Sequence, residues 1–235
     1  LEMKGVILAE VAGGNLNDRQ VSFSAMPGAR VGIIGPAGSG KSVIADLIAG
    51  LIVPESGSVE IDGIDVCKMP RRFRVAVVTK VGRDETFFEG MVHDNITLWD
   101  STIDTVEIRR AAEDACIHDD ILNMKDGYSA VLTPNATNIS GGQKQRLSIA
   151  RALVRNPRVI VLDGTTSALD SLTEQQVIDN LHKRGCTTIT ITQRISSIRE
   201  SDYIIVLDDG VVVDRGTHDQ LASREGLYRK MVESE

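Results

Sequence analysis

Apolar positions along this chain follow two alternating rhythms. Short runs dense in Val, Ile and Thr predict buried strands. They are "RVGIIG" (30–35), "SVEIDG" (58–63), "RVAVVT" (74–79), "RVIVLD" (158–163), "TTITIT" (187–192), and "YIIVLDDG" running into "VVVDRG" (203–216). The last two predict a hairpin about Asp209-Gly210, because these residues tolerate the positive φ of a two-residue turn. Between the strands, apolar residues recur with helical spacing over 41–51, 104–117, 141–156 and 171–184. In the third stretch Leu147, Ala150, Leu153 and Val154 share a face opposite basic residues, and Pro157 stops the helix.

Strands alternating with helices predict an α/β fold around a mainly parallel sheet. The interval from about 83 to 157 holds helical patterns and no convincing buried strand, so it reads as a helical subdomain inserted into the sheet domain. No internal repeat, low-complexity tract or linker divides the chain, which predicts a single domain over 1–235.

Composition adds exclusions. Apolar residues at 42% and charged residues at 25% suit a soluble globular chain, and 3% aromatics require an aliphatic core. A formal charge of −7 argues against a broad basic face for nucleic acid. Cys67, Cys116 and Cys186 lie far apart, an odd count that suits a reducing compartment better than a disulfide framework. No apolar run approaches the ~20 residues needed to span a bilayer. The chain opens on Leu1 rather than Met, as an excised domain or processed chain does. His93, His118, His182 and His218 share no metal-ligand spacing, and the N-x-S/T triplets at Asn95, Asn135 and Asn138 read as chance. "RRFR" (71–74) predicts a solvated edge, and "RRAAED" an exposed helix face with Arg109–Glu113 and Arg110–Asp114 pairs.

The strongest chemical signal is Gly35-Pro36-Ala37-Gly38-Ser39-Gly40-Lys41-Ser42, a G-x-x-x-x-G-K-[ST] phosphate loop placed directly after a strand and before a helix. Its glycines let backbone N–H groups converge on phosphate, and the helix N-terminus adds partial positive charge. Lys41 can reach the β- and γ-phosphates, and the Ser42 hydroxyl can ligate Mg²⁺. Asp163 ends an apolar strand, the place from which an acid holds Mg²⁺ in phosphate-loop nucleotidases. "ISGGQ" opens the third helix, with Ser140 as its N-cap and two glycines exposing N–H groups to an anion.

These motifs together resemble the ATP-binding cassette (ABC) family over nearly the whole chain: phosphate loop, "ISGGQ", Asp163 and the "SALD" turn (Ser167, Ala168, Leu169, Asp170) known there as the D-loop. The resemblance implies a phosphate-loop nucleotidase core with an antiparallel β subdomain and an inserted helical subdomain, Mg-ATP as ligand, and head-to-tail pairing of two cassettes. Ser140, Gly141, Gly142 and Gln143 then serve the ATP held by a partner's phosphate loop. The interval between Ser42 and Ser140 is too short for the coiled-coil arms of chromosome-maintenance and DNA-repair members, and suits a transporter. Phrases such as "FFEGMVHDNITLWD" (87–100) and "DRGTHDQL" (214–221) look like exporters carrying the cassette behind a membrane-spanning domain. They look most like bacterial exporters of ribosomally made peptides with nitrile-hydratase-like leaders. This implies the cytoplasmic face of the bacterial membrane.

The sequence departs from the family pattern at four places. Gly164 stands where the catalytic carboxylate follows the metal Asp, and a general base contributes roughly 10²–10⁴-fold. Gln193 replaces the switch His; its amide can bond a phosphate oxygen but cannot become an imidazolium. No Gln occurs between Gln20 and Gln143, so the usual metal-touching Gln is missing; Lys80 stands nearest, and a Lys there repels the ion. The usual adenine-stacking aromatic is missing from "EVAGGN" (10–15), and such stacking is worth about 1–3 kcal/mol. These changes fall on the cassette's own hydrolytic and adenine contacts, while "ISGGQ" and "SALD" keep the pattern. The expectation is the degenerate half of a heterodimer, which completes its partner's site. The alternatives are a homodimeric ATPase with a non-standard site and a non-hydrolysing regulatory module.

Overall fold

The computed structural model describes residues 1–7, 20–83 and 85–234. Its strands are β1 (Glu2–Ile7), β2 (Gln20–Ser24), β3 (Arg30–Ile34), β4 (Ser58–Ile61), β5 (Ile64–Asp65), β6 (Val78–Val81), β7 (Gly90–Met91), β8 (Val131–Leu132), β9 (Val159–Asp163), β10 (Thr187–Thr192), β11 (Tyr203–Asp208) and β12 (Val211–Gly216). The helices are α1 (Lys41–Ile48), α2 (Arg71–Val77), α3 (Val92–Thr97), α4 (Thr105–Asp114), α5 (His118–Asn123), α6 (Gly141–Leu153), α7 (Ser171–Lys183), α8 (His218–Ala222) and α9 (Leu227–Ser234).

The central sheet runs β12-β11-β3-β10-β9-β6. Every pairing in it is parallel except the β11–β12 hairpin. That hairpin turns at Asp209 (φ 44°) and Gly210 (φ 78°), where the Asp-Gly pair places it. Strand residues alternate between two cores. Val159 and Val161 join Ile44, Leu47 and Ile48 of α1 on one face. Ile160 and Leu162 join Leu147, Leu153, Val177 and Leu181 on the other. Helices thus cover both faces, which is why these strands read as unbroken apolar runs. A separate antiparallel sheet, β2-β1-β4-β5, packs Met3, Val21, Phe23 and Val59 against the α1 side.

Three expectations need correction. The run 74–79 is a strand only from Val78. Residues 71–77 form α2, which starts after Pro70 and buries none of its side chains. The register marks the offset: β6 meets β9 first at Val78↔Val159, and only Val77, whose carbonyl accepts from Arg158 N at 2.9 Å, bonds that edge before it. The helical interval also contains a short antiparallel ribbon, β7 with β8, in which Leu132 is fully buried. Finally, Arg110 pairs with Glu107 at 3.9 Å, because Asp114 is drawn to Arg184 at 2.6 Å; Arg109–Glu113 forms as expected at 2.8 Å.

The remaining patterns hold with shorter ends. Asp104 caps α4, accepting from Val106 N. Asn156 takes a left-handed φ of 53° beyond α6, one residue before Pro157. Asn95 is fully buried and bonds Phe88 and Met91 through its amide, so its triplet has a packing role. His118 and His218 bond the hydroxyls of Tyr128 and Tyr228 at 2.9 and 2.8 Å. No helix among the described residues is long and apolar enough to cross a membrane.

Candidate nucleotide site

The site forms where β3, β10, β9 and β6 present their carboxyl ends side by side, the usual ligand edge of an open parallel sheet. The loop from Gly35 to Gly40 leaves β3 and enters α1 through Gly40, whose φ of 90° suits only glycine. The β11–β12 turn props this loop, Gly210 N donating to Ser39 O at 3.2 Å. Lys41 is buried, and its ammonium donates to Gly35 O (2.8 Å), Pro36 O (2.6 Å) and Ser39 Oγ (3.2 Å). Burial lowers its pKa and Arg83 adds to that, while Asp163 opposes it. Lys41 therefore stands at the mouth of the loop on weak carbonyl partners, ready to exchange them for phosphate oxygens.

A cavity of 590 Å³ opens in front of the loop. Ala37, Gly38, Gly40, Lys41, Ser42, Asp163 and Gln193 line it, whereas Gly35, Pro36 and Ser39 lie outside its lining and hold the Lys41 ammonium. Ser42 Oγ donates to Asp163 Oδ1 at 3.2 Å, so the two residues expected at the metal also meet. The other Asp163 oxygen is taken. Lys80 Nζ lies 3.1 Å from Oδ2 and 2.7 Å from Asp46 Oδ1 on α1. Burial works to lower the Lys80 pKa, but its bonds to Asp46 and Asp163 outweigh this and hold it above the ordinary value.

The place of the absent carboxylate is also filled. Gly164 has φ +62°, and a Cβ built on it would collide with Arg83 Nε and stand 2.9 Å from Arg83 Cζ. The Arg83 guanidinium thus occupies the volume into which a side chain at 164 would grow. Asp163 is the one carboxylate among the described residues lining the cavity, against three cations, Lys41, Lys80 and Arg83. No group of three or more His, Cys, Asp or Glu among the described residues could hold a metal ion. The donor set fits a polyanion. It does not fit a resident divalent cation, because Lys80 already neutralises Asp163.

The signature lies apart from this cavity. Ser140 caps α6 in a reciprocal box with Gln143: Gln143 N donates to Ser140 Oγ at 3.2 Å, and Ser140 N donates to Gln143 Oε1 at 2.9 Å. The Gln143 amide then reaches Asp120 at 2.8 Å, and Arg146 bonds the same carboxylate. A Cβ on Gly141 would meet nothing within 4 Å, so the α6 N-terminus faces open space, while Gly142 backs onto Ala168 O. In the "SALD" turn Leu169 is buried, Ala168 N donates to Gln145 Oε1 at 3.1 Å, and Asp170 caps α7 through Thr173 N at 3.0 Å. The side chain of Ser167 and the adenine-contact stretch 10–15 lie outside the described residues.

Sequence reasoning missed Asp46 and Arg83. Asp46 lies one helical turn beyond Ser42 on the same strip of α1, a spacing that could have flagged it. For Arg83 the signal was the paired oddity of a glycine at 164 and a basic residue in the loop after β6.

A glycine loop opening a helix at the edge of a parallel sheet, with Ser42 against a strand-end Asp, defines a phosphate-loop nucleotide site. The family model described as "ABC transporter" matches residues 19–167, and the chain belongs to that family. It is 41% identical over 217 residues to the uncharacterized ABC transporter ATP-binding protein YfiB of Bacillus subtilis (strain 168), covering 92% of this chain and 38% of that protein. It is 37% identical over 216 residues to the exotoxin translocation ATP-binding protein PaxB of Pasteurella aerogenes, covering 91% of this chain and 30% of that one. A bacterial Atm1-family ABC exporter solved with ATP bound superposes with a TM-score of 0.89 at 34% identity, over 99% of this chain and 41% of its own. The chain spans less than half the length of each of these relatives.

Proposed function

We propose that this chain is the ATP-binding domain of a bacterial exporter, a single domain over 1–235, whose own site holds nucleotide without cleaving it. Gly35 through Ser42 cradle the triphosphate, Lys41 contacts its β- and γ-phosphates, and Gln193 bonds a phosphate oxygen. ATP supplies the ligation that brings two such domains together. Ser140, Gly141, Gly142 and Gln143, with the 167–170 turn, complete the site on a second domain that carries the working base. The Asp163 carboxylate, expected with Ser42 to hold magnesium, is already paired with Lys80. The full protein adds a membrane-spanning domain, places this chain on the cytoplasmic face and exports a peptide of the bacteriocin kind. The relative named for exotoxin translocation supports a toxin-like cargo.

One observation carries the reading. The Arg83 guanidinium fills the space beside Gly164, so a cation stands where attack on the γ-phosphate needs a proton acceptor. Asp163 cannot take that role while it is bonded to Lys80 and Ser42. By contrast the α6 N-terminus is capped, glycine-lined and open to an incoming phosphate.

The test is reconstitution with a second ABC domain that has Glu after its metal Asp. The mixture is expected to release phosphate at a rate that collapses on Ser140→Ala in this chain. Turnover indifferent to Ser140→Ala refutes the signature's role.

A further inference from the structure

We propose that this chain binds nucleoside triphosphate without a divalent cation, using Lys80 and Arg83 as built-in counter-charges. The proposal rests on the nucleotide-binding reading above and concerns the regulation of that same site.

Lys80 is fixed from two sides. It lies on β6 opposite Val161 of β9, two residues before Asp163, so the strand register puts its side chain on the α1 face of the sheet, the face that Val161 and Asp163 share. Its side chain is 19% exposed, and its ammonium bridges Asp46 at 2.7 Å and Asp163 at 3.1 Å. A magnesium ion is bound through one or two carboxylates together with substrate phosphates, and it sheds its waters reluctantly. Here the carboxylate it would use already carries a fixed positive partner. An arriving ion must displace Lys80 or sit beside it, and both are unfavourable in a cleft partly shielded from water.

Arg83 supplies the second charge. It is exposed, borders the phosphate cavity, and reaches into the vacant side-chain volume of Gly164. The same residue lines the neighbouring cleft that contains Gly141. With Lys41, three cations line the cavity against Asp163, and counting Asp46 beside Lys80 still leaves a net positive charge. Such an imbalance attracts the metal-free triphosphate, which has the greater negative charge. A planar guanidinium also offers a fork of donors to phosphate oxygens that an ion cannot.

The experiment is calorimetric titration of this chain with ATP, once in magnesium and once in excess EDTA. The wild-type Kd is expected to change by less than about threefold between the two buffers. Lys80→Gln frees Asp163 and is expected to open that ratio to about tenfold or more in favour of magnesium. Arg83→Ala, at an exposed position that leaves the fold intact, is expected to weaken binding more in EDTA than in magnesium. A wild-type Kd at least about tenfold weaker in EDTA overturns the proposal and leaves the nucleotide reading standing. Equal ratios in wild type, Lys80→Gln and Arg83→Ala overturn the assignment to these side chains. Binding in neither buffer overturns both the proposal and the reading beneath it.

Discussion

Replacing Gly164 by Ala separates a sequence accident from a built arrangement. The backbone at 164 is pinned, since Gly164 N donates to Ile191 O on β10 at 2.9 Å. Its φ of +62° therefore cannot relax to the left-hand side of the Ramachandran plot. A side chain in that conformation costs about 1–2 kcal/mol. The new Cβ also enters the space of Arg83, which must swing away. For a chain of this length each kcal/mol shifts the melting temperature by about 2–4 °C. Gly164→Ala is thus expected to lower Tm by about 2–8 °C. Arg83→Ala alone, an exposed change, is expected to stay within about 0.5 kcal/mol of wild type. The double variant removes the collision and keeps the backbone cost, so it should fall less than Gly164→Ala does. Calorimetric unfolding of the four proteins reads this cycle directly. A Gly164→Ala protein as stable as wild type refutes the left-handed backbone and the Arg83 placement together.

Other consequences follow from single contacts. Lys41→Ala removes the cation at the mouth of the phosphate loop and should abolish ATP binding detectable by calorimetry, with circular dichroism unchanged. Arg184 is 3% exposed and joins Asp114, Glu107 and Leu153 O, so Arg184→Ala should destabilise the chain by ~3 kcal/mol in urea unfolding. Burial pushes the Cys186 thiol up to about 11, so at pH 8 a thiol reagent should modify Cys67 and Cys116 well before Cys186. Because that folded pKa lies above the ordinary 9.0, its contribution to stability is complete below pH 9.0 and is lost as pH rises toward 11. Cys186→Ala should flatten that decline in thermal melts recorded across the interval.

Much of this fold was legible because local and tertiary demands agree. The apolar run at 159–163 and the β-branched run at 187–192 are strands buried on both faces, and the phosphate-loop glycines meet the backbone angles they imply. The failures share one cause. Val75 and Val77 look like strand residues, yet β6 can begin only where β9 offers a partner, and the residues before it coil into α2. Arg110 and Asp114 have the right helical spacing, yet the nearly buried Arg184 outcompetes an exposed neighbour for that carboxylate. At the site, the sequence revealed Gly164 and Lys80 as oddities but not their partners. Arg83 and Asp46 join them only through the geometry of three separate elements, which no linear spacing encodes.

In the proposed function this polypeptide holds ATP and leaves the water attack to another subunit. Parallel measurement of ATP binding and phosphate release by the purified chain, over a rising protein concentration, tests it most directly. Saturable binding with no Lys41-dependent phosphate release is expected. Release that climbs cooperatively with protein concentration and vanishes in Lys41→Ala contradicts it.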